Sequence, residues 1–435
     1  MSAAPRYLAL FLMLVVAVAL PAFDFGAVAT SQTETAGSAG GTLELDQSVV
    51  TQGWIDAPLG AAANLSAQGS FRYSLGRAPY GNLDELVLDT SVPVGAAAVV
   101  RLTSGRFLFE DPTGLVLSDP ADGVRVSTIL PLVEASASAG YTGLTFDRVS
   151  TVAVSRSDVL DRSDDSILAP PRLLLGGRLS FLELIGRQNL TLGVSGQLDF
   201  RPEDEVAGPG DLTEQAGGRV DTGYLTAVVS GPVGAGLFYD VFAVMNFGNT
   251  LYYDGTRYRE TDIRAGLLGG SIELFAPTPV RPTVTVTGLF ATGDADATTS
   301  AYEGNTDGLS RGFEPISAPS LGLLVAPRIQ NLIAGGLDAS ITPFAEAPSR
   351  LLRLVSVTAS GLVLARPTTG IASLNGVDPF SEAIYLGTEG SLRIDARLLS
   401  DFGIALAGGA FFPNPEAFSD GSLRFEMSLT AAFSL

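Results

Sequence analysis

The chain ends on SLRFEMSLTAAFSL (422–435), where Leu423, Phe425, Met427, Leu429, Ala431, Phe433 and Leu435 alternate with Ser422, Arg424, Glu426, Ser428, Thr430 and Ser434. Only Ala432 interrupts the polar series. A two-residue period with one apolar and one polar face is the pattern of a half-buried strand. It recurs in LSAQGSFRYSL (65–75), LTLGVSGQLDF (190–200), GLFYDVFAVMNF (236–247) and AIYLGTEGSLRIDA (383–396). Segments of about ten residues match a tilted strand crossing a bilayer. Mean hydropathy is positive, yet past the N-terminal region no stretch is long and apolar enough for a transmembrane helix. Apolar faces in nearly every strand, with no helices to cover them, point to lipid as the cover. A secreted β-helix or a pair of sandwiches is the soluble alternative.

Connections alternate in length. Short ones include 185–188, 231–234, 277–282 and 397–401, whereas 155–171, 201–222 and 292–312 are long and polar. Short turns at one end and long loops at the other predict an all-β fold, a single transmembrane antiparallel β-barrel with both chain ends on the short-turn side. Strands are expected near 64–75, 82–92, 99–109, 122–130, 133–143, 172–184, 189–200, 222–230, 235–247, 259–275, 283–292, 329–342, 350–363, 383–396, 401–411 and 422–435. That is about sixteen, or eighteen with one more hairpin in 42–63. A change of face near Gly105 suggests a bulge in 99–109.

The N-terminus carries Arg6 followed by the apolar run YLALFLMLVVAVALPAF (7–23) and AVATS, with small residues at Ala27 and Ala29. This predicts a signal peptide over 1–29, an N-terminal segment 30–63 that is flexible or forms the extra hairpin, and a barrel over 64–435. The polar stretch 31–41 reads as a periplasmic tail or part of an inner plug. An uncleaved membrane anchor is the alternative for 7–23.

Composition removes most chemistry. There is no histidine and no cysteine, and all 26 basic residues are arginine against 46 acids, a formal charge of −20. No Ser-His-Asp triad, cysteine nucleophile or histidine-held zinc can be built, and no lipoprotein anchor or disulfide. A nucleic-acid partner is unexpected for so acidic a chain. No enzyme activity and no cofactor are expected. The paired acids Asp164 and Asp165, or Glu203 and Asp204, lack a pocket and read as solvated loop charge. The loop 303–314 approximates a calcium loop through Glu303, Asn305, Asp307 and Glu314, but Arg311 occupies its ninth place, so an acidic solvated loop is the better reading.

SGRFLFEDPTGLVLSDPADGVRV (104–126) resembles the stretch of alginate-export-type outer-membrane channels in which a Gly-Arg strand end leads through a loop to a D-G-V-R strand. The matching residues are Gly105 and Arg106, then Asp122, Gly123, Val124 and Arg125. GLFATGDADA (288–297) with GFEP (312–315) is similar to that family's small-Gly-Asp loop, and 385–418 resembles its final hairpins. The resemblance implies an outer-membrane channel of sixteen to eighteen strands. Alginate exporters have an arginine-rich lumen. The polar faces here carry Arg72, Arg101, Arg125, Arg178, Arg264, Arg353, Arg393 and Arg424 against Asp199, Asp240, Glu273, Glu389, Asp395 and Glu426. This mixed set, expected to line the lumen or to brace its wall as ion pairs, does not transfer alginate as the substrate.

The expectation is a porin-like channel in the outer membrane of a diderm bacterium, reached after signal-peptide cleavage. It would pass small hydrophilic solutes or export a saccharide-type solute. The alternative is a surface-exposed adhesion or structural barrel with a plugged lumen. Expected partners are outer-membrane lipid, a lipopolysaccharide-type surface and the barrel-assembly machinery. Phe425, Met427, Leu429, Phe433 and Leu435 would form the C-terminal assembly signal. Tyr73, Tyr80, Phe181, Phe247, Tyr252, Tyr253, Phe411 and Phe412 fit interfacial girdles.

Overall fold

The computed structural model describes residues 23–154, 158, 167–200, 220–253, 258–296, 308–317, 321–370 and, except 373, 375 and 379, 372–435. In lipid a strand's backbone polar groups have no water to pair with, so a sheet there must have no open edge. The chain meets that condition. Among the described residues, nineteen strands form one sheet. β14 (Leu309–Ser310) is a two-residue segment pairing in parallel with β12 inside a loop. The other eighteen are antiparallel and closed into a ring by β1 against β19.

In chain order they are β1 (Asp24–Ser38), β2 (Glu44–Pro58), β3 (Ala63–Ser74), β4 (Tyr80–Val94), β5 (Ala98–Glu110) and β6 (Ser118–Ile129). Next come β7 (Val133–Tyr141), β8 (Arg172–Ile185), β9 (Gln188–Asp199), β10 (Asp221–Gly234), β11 (Leu237–Tyr253) and β12 (Tyr258–Phe275). The ring is completed by β13 (Thr283–Ala291), β15 (Leu332–Ile341), β16 (Val355–Ala365), β17 (Tyr385–Arg397), β18 (Phe402–Pro413) and β19 (Arg424–Ser434).

The count is therefore eighteen rather than sixteen. The extra hairpin is β1–β2, and it begins upstream of 42–63. Residues 31–38 are not a free tail: Gln32, Thr33 and Glu34 pair with Thr430, Leu429 and Ser428. Asp24 to Ala29 also belong to β1, so the expected cut after Ala29 falls inside a strand.

Directly paired residues of antiparallel strands share a face. On β19 the odd side, Phe425, Met427, Leu429 and Phe433, points outward; Met427 is 59 % and Leu429 50 % exposed. Arg424, Glu426 and Ser428 point inward beside Ser38, Ala36 and Glu34. The outward side continues through Leu392, Leu406, Val241 and Leu268, all exposed large apolar residues. Their exposure is what a lipid belt requires.

β5 departs from the bulge expected at Gly105. Its register with β4 and β6 is unbroken, so Arg101, Thr103, Gly105, Phe107 and Phe109 all face inward. The apparent change of face arises because Phe107 and Phe109 are apolar on the lumenal side. Their rings stack at 4.6 Å, and Phe109 is 1 % exposed. Burying such a ring contributes about 1.5–3 kcal/mol. The ring lies flat on the wall because Gly123 and Gly140 pair beneath it and have no Cβ to collide with it. Tyr80 and Phe411 also turn inward, beside Arg72 and Glu389. Tyr73, Phe247 and Phe412 stay outward and exposed.

Residues 350–353, expected to begin a strand, form the four-residue helix α1 (Arg350–Arg353) in the turn before β16.

Removing residues 433–435 deletes the pairs Phe433–Ala29 and Ser434–Val28, the Phe433–Phe402 pair, and the two backbone hydrogen bonds joining Leu435 to Ala27. Such a truncation should lose the heat-modifiable compact form on unboiled gels of membrane fractions. Undiminished heat modifiability would contradict this role for the seam.

Candidate functional site: an inward-folded roof over an arginine pocket

The pairing ladder fixes where each charged residue points. Arg72 on β3 is inward beside Tyr80. Arg101, Arg125 and Arg178 are inward on β5, β6 and β8, joined through the pairs Arg101–Ser127, Arg125–Ser138 and Ser136–Arg178. Asp199 on β9 is inward beside Arg172. Asp240 and Glu273 lie inward on β11 and β12. Glu389, Arg393 and Asp395 lie inward on β17, and Arg424 and Glu426 on β19.

Two expected lumenal arginines are elsewhere. Arg264 pairs with the outward Phe247, is 72 % exposed, and meets Asp262 at 3.5 Å on the outer surface. Its strand has eighteen residues and outruns the roughly ten a bilayer needs, so a charge at its far end can face outward. Arg353 sits exposed in α1.

At the long-loop end the connections fold into the barrel. Residues 111–117 are organised by Asp111, whose carboxylate accepts the Thr113 N–H (2.9 Å), the Thr113 hydroxyl (2.7 Å) and the Val116 and Leu117 N–H groups (3.0 and 3.1 Å). The Val116 carbonyl accepts the N–H groups of Ile316 (2.8 Å) and Ser317 (3.0 Å) from the loop between β13 and β15. Ser118 N–H donates to Ser317 Oγ at 2.9 Å. Ala153 N–H, from a third loop, donates to the Ile316 carbonyl at 3.1 Å. Around these bonds Val116, Leu117, Val152, Phe313, Ile316 and Phe109 form one buried apolar cluster.

Three charged side chains pin this roof to the wall. Glu389 accepts three successive N–H groups, from Leu323 (2.6 Å), Leu324 (3.2 Å) and Val325 (3.0 Å). Arg172 is fully buried between Asp158 (2.9 Å) and Asp199 (3.2 Å), which fastens the loop after β7. Arg366, equally buried, donates to the carbonyls of Ala383, Gly370 and Ser381. Inside the roof, burial and, after it, the neighbouring Asp296 push the Asp294 carboxyl up to about 6. Burial pushes Glu314 up to about 8; Arg328 draws it down and Asp294 adds to the rise.

Beneath the segment 110–117 lies a cavity of about 350 Å³ lined by Arg101, Arg125, Arg178, Glu134 and the hydroxyls of Ser136 and Ser195, among others. None of its three arginines forms an ion pair among the described residues. Arg125 lies over the Phe107 ring at 4.7 Å and donates to the Leu108 carbonyl at 3.0 Å. The same lining holds the carboxylates of Glu110, Asp111 and Glu134, so its formal charge balances, and the three guanidinium groups on β5, β6 and β8 offer an anion charge-assisted hydrogen bonds beside acidic groups. Nearer the rim, Arg72, Arg77 and Arg148 surround a second cavity of about 570 Å³, with Arg148 over the Tyr80 ring at 5.5 Å. Arg393, by contrast, pairs with Asp395 at 2.7 Å.

Of the calcium-loop residues, Glu303, Asn305 and Asp307 lie outside the described residues. Glu314 is buried in the roof, and among the described residues no acidic cluster has metal-ligand geometry. Asp164, Asp165, Glu203 and Asp204 also lie outside the described residues, as do the Tyr252 and Tyr253 side chains. Sequence reasoning missed Arg172, Arg366 and the inward course of the loops. Phe107 and Phe109 on an otherwise polar face carried the signal, as did the DPTG turn at 111–114.

No protein-family model matches the chain, and no curated protein matches it in sequence. Solved structures do match in shape. Pseudomonas aeruginosa OccK11 (OpdR) aligns with a TM-score of 0.57 at 11 % identity, over 96 % of each chain. The outer membrane protein opdK of the same organism aligns at 0.57 and 11 %, over 96 % of this chain and 99 % of that one. Pseudomonas aeruginosa OccK2 (OpdF) in complex with glucuronate aligns at 0.57 and 11 %, over 96 % and 98 %. The fold is thus that of a porin-type outer-membrane barrel. These neighbours do not carry the alginate-export resemblance.

Replacing Glu389 by Gln removes the charge from an acceptor of three N–H groups, at a cost of about 1–3 kcal/mol. The amides of residues 323–325 in the E389Q variant should exchange with deuterium about 10–100-fold faster. Unchanged protection would show that the roof is held by other contacts.

Proposed function

We propose that the protein is an outer-membrane channel through which small hydrophilic solutes diffuse, with anions favoured. One observation carries this reading: three inward arginines, with no ion-pair partner among the described residues, line a cavity inside a closed eighteen-strand barrel. Barrels of this size leave an aqueous interior unless loops fill it. Guanidinium groups held on the wall outside ion pairs donate charge-assisted hydrogen bonds to a passing anion, with the carboxylates of Glu110, Asp111 and Glu134 beside them. The glucuronate complex of OccK2 (OpdF), a barrel of the same shape, makes sugar acids a reasonable first solute class to assay. The chain reaches the outer membrane as an exported precursor. Because β1 starts at Asp24, we place leader removal before that residue rather than after Ala29. The short-turn end, with both termini, then faces the periplasm. Insertion would run through the assembly machinery, read from the outward Phe425, Met427, Leu429, Phe433 and Leu435.

A second reading, a surface-displayed barrel with a plugged lumen, draws its support from the apolar roof around Val116, Phe313 and Ile316.

Planar-bilayer recording separates the two. Resolved conductance steps with a reversal potential on the anion side in a KCl gradient are expected. In the triple variant R101Q/R125Q/R178Q the anion-to-cation permeability ratio should fall about two- to fivefold. Absence of steps would favour the plugged barrel, and an unchanged ratio would remove the arginines from the path.

A second measurement addresses processing. N-terminal sequencing of the mature protein should begin at or before Asp24. A start at Thr30 would mean that β1 is shorter in the mature barrel.

A further inference from the structure

Glu314 occupies the joint of the roof. Its residue is 1 % exposed, among Phe313, Ile316, Ile329 and Tyr224, all fully buried. Its backbone is clamped to the wall at both polar groups. The N–H donates to Asn246 Oδ1 on β11 at 3.2 Å, and the carbonyl accepts the Tyr224 hydroxyl from β10. The side chain is not so provided for, since carboxyl Oε2 is buried with no hydrogen-bond partner. Two residues on, Ile316 and Ser317 hold the Val116 carbonyl and the Ser118 N–H. Those residues flank Leu117, which with Pro112 closes the top of the arginine cavity. A short covalent and hydrogen-bonded path thus joins the Glu314 carboxyl to the cover of the pocket.

We propose that Glu314 is a proton-operated latch: protonated, it keeps the segment 308–317 docked and the arginine pocket roofed; ionised, it releases that segment and widens the path. The proposal rests on the channel reading for its consequence, though not for the docking itself. An ionised carboxylate in an apolar site with an oxygen lacking a donor is costly, whereas the neutral acid is tolerated. The titratable and charged groups facing it are Asp294 and Arg328 from its own loop and Tyr224 from β10, with Arg172 behind Tyr224. Burial, and to a smaller extent Asp294, push the carboxyl up, and Arg328 opposes them. The docked carboxyl titrates near 8, against about 4.3 for a solvated glutamate. The docked form therefore holds one proton more than the released form between those values. Docking is strongest below the lower value, weakens up to about tenfold per pH unit across the window, and is level above about pH 8. Asp294, raised in the same direction, adds to the slope without changing its sign.

The test uses the full chain in detergent or bilayer, with E314Q and E314L as two neutral replacements. Protection of the Ile316 and Ser317 amides, corrected for intrinsic exchange, should fall between pH 5 and pH 8 in the wild type. In either variant the fall should be markedly smaller, leaving only the contribution of Asp294. Conductance should rise over the same window in the wild type and stay low in the variants. Wild-type protection that does not change with pH would overturn the latch, as would a pH response undiminished in both variants. PH-dependent protection with no conductance at any pH would keep the latch and sink the channel reading.

Discussion

Lipid cannot hydrogen-bond a peptide group, and the rest of the structure follows from this. Every spanning segment must pair on both edges, and the last pairing available is β1 with β19. The seam runs from Val28–Ser434 to Ser38–Arg424 without a register shift. It fixes which face of β19 meets lipid and therefore, strand by strand around the ring, which residues look inward. A slip of one residue would send Arg424 and Glu426 into the bilayer and Met427 and Leu429 into the lumen.

Closure with eighteen strands creates a second problem. The interior is too wide for wall side chains to fill, so its content comes from the loops. The chain meets this with an apolar roof resting on inward Phe107, Phe109, Tyr224 and Phe411, tied down by Glu389, Arg172 and Arg366. Apolar residues on the lumenal face cluster near the long-loop end. Towards the other end the inward face turns to Ser, Thr, Asp and Arg, as at Ser127, Ser136, Thr285 and Asp338. The transition between these zones is where the arginine pocket sits.

Much of this architecture was legible in the sequence. All sixteen expected strands are present, and most of the charges read from the alternation share the face that the pairing turns inward. β1 was missed because its outward side is Ala27, Ala29, Ser31, Thr33 and Thr35, which offers little contrast with its inward side. Only its partners, Met427 and Leu429 on one edge and Val49 and Ile55 on the other, define it as a wall strand. Arg264 was misplaced because β12 continues past the bilayer, where alternation no longer means lipid against water. Gly105 read as a bulge because lumenal phenylalanines break the polar pattern without breaking the register. The roof itself depends on contacts between residues far apart in sequence, such as Val116 with Ile316, which no local pattern encodes.

The central claim is that the space below the roof is water-filled, polar and reachable from outside. The chain has no cysteine, so single cysteines report accessibility without background. S136C faces the pocket between Ser127 and Arg178, L392C faces lipid, and R77C sits at the rim. With a small anionic, membrane-impermeant thiol reagent applied to intact cells, S136C and R77C should label and L392C should not. Labelling at R77C with none at S136C would mean that the roof seals the barrel, and the account of a conducting lumen would be wrong.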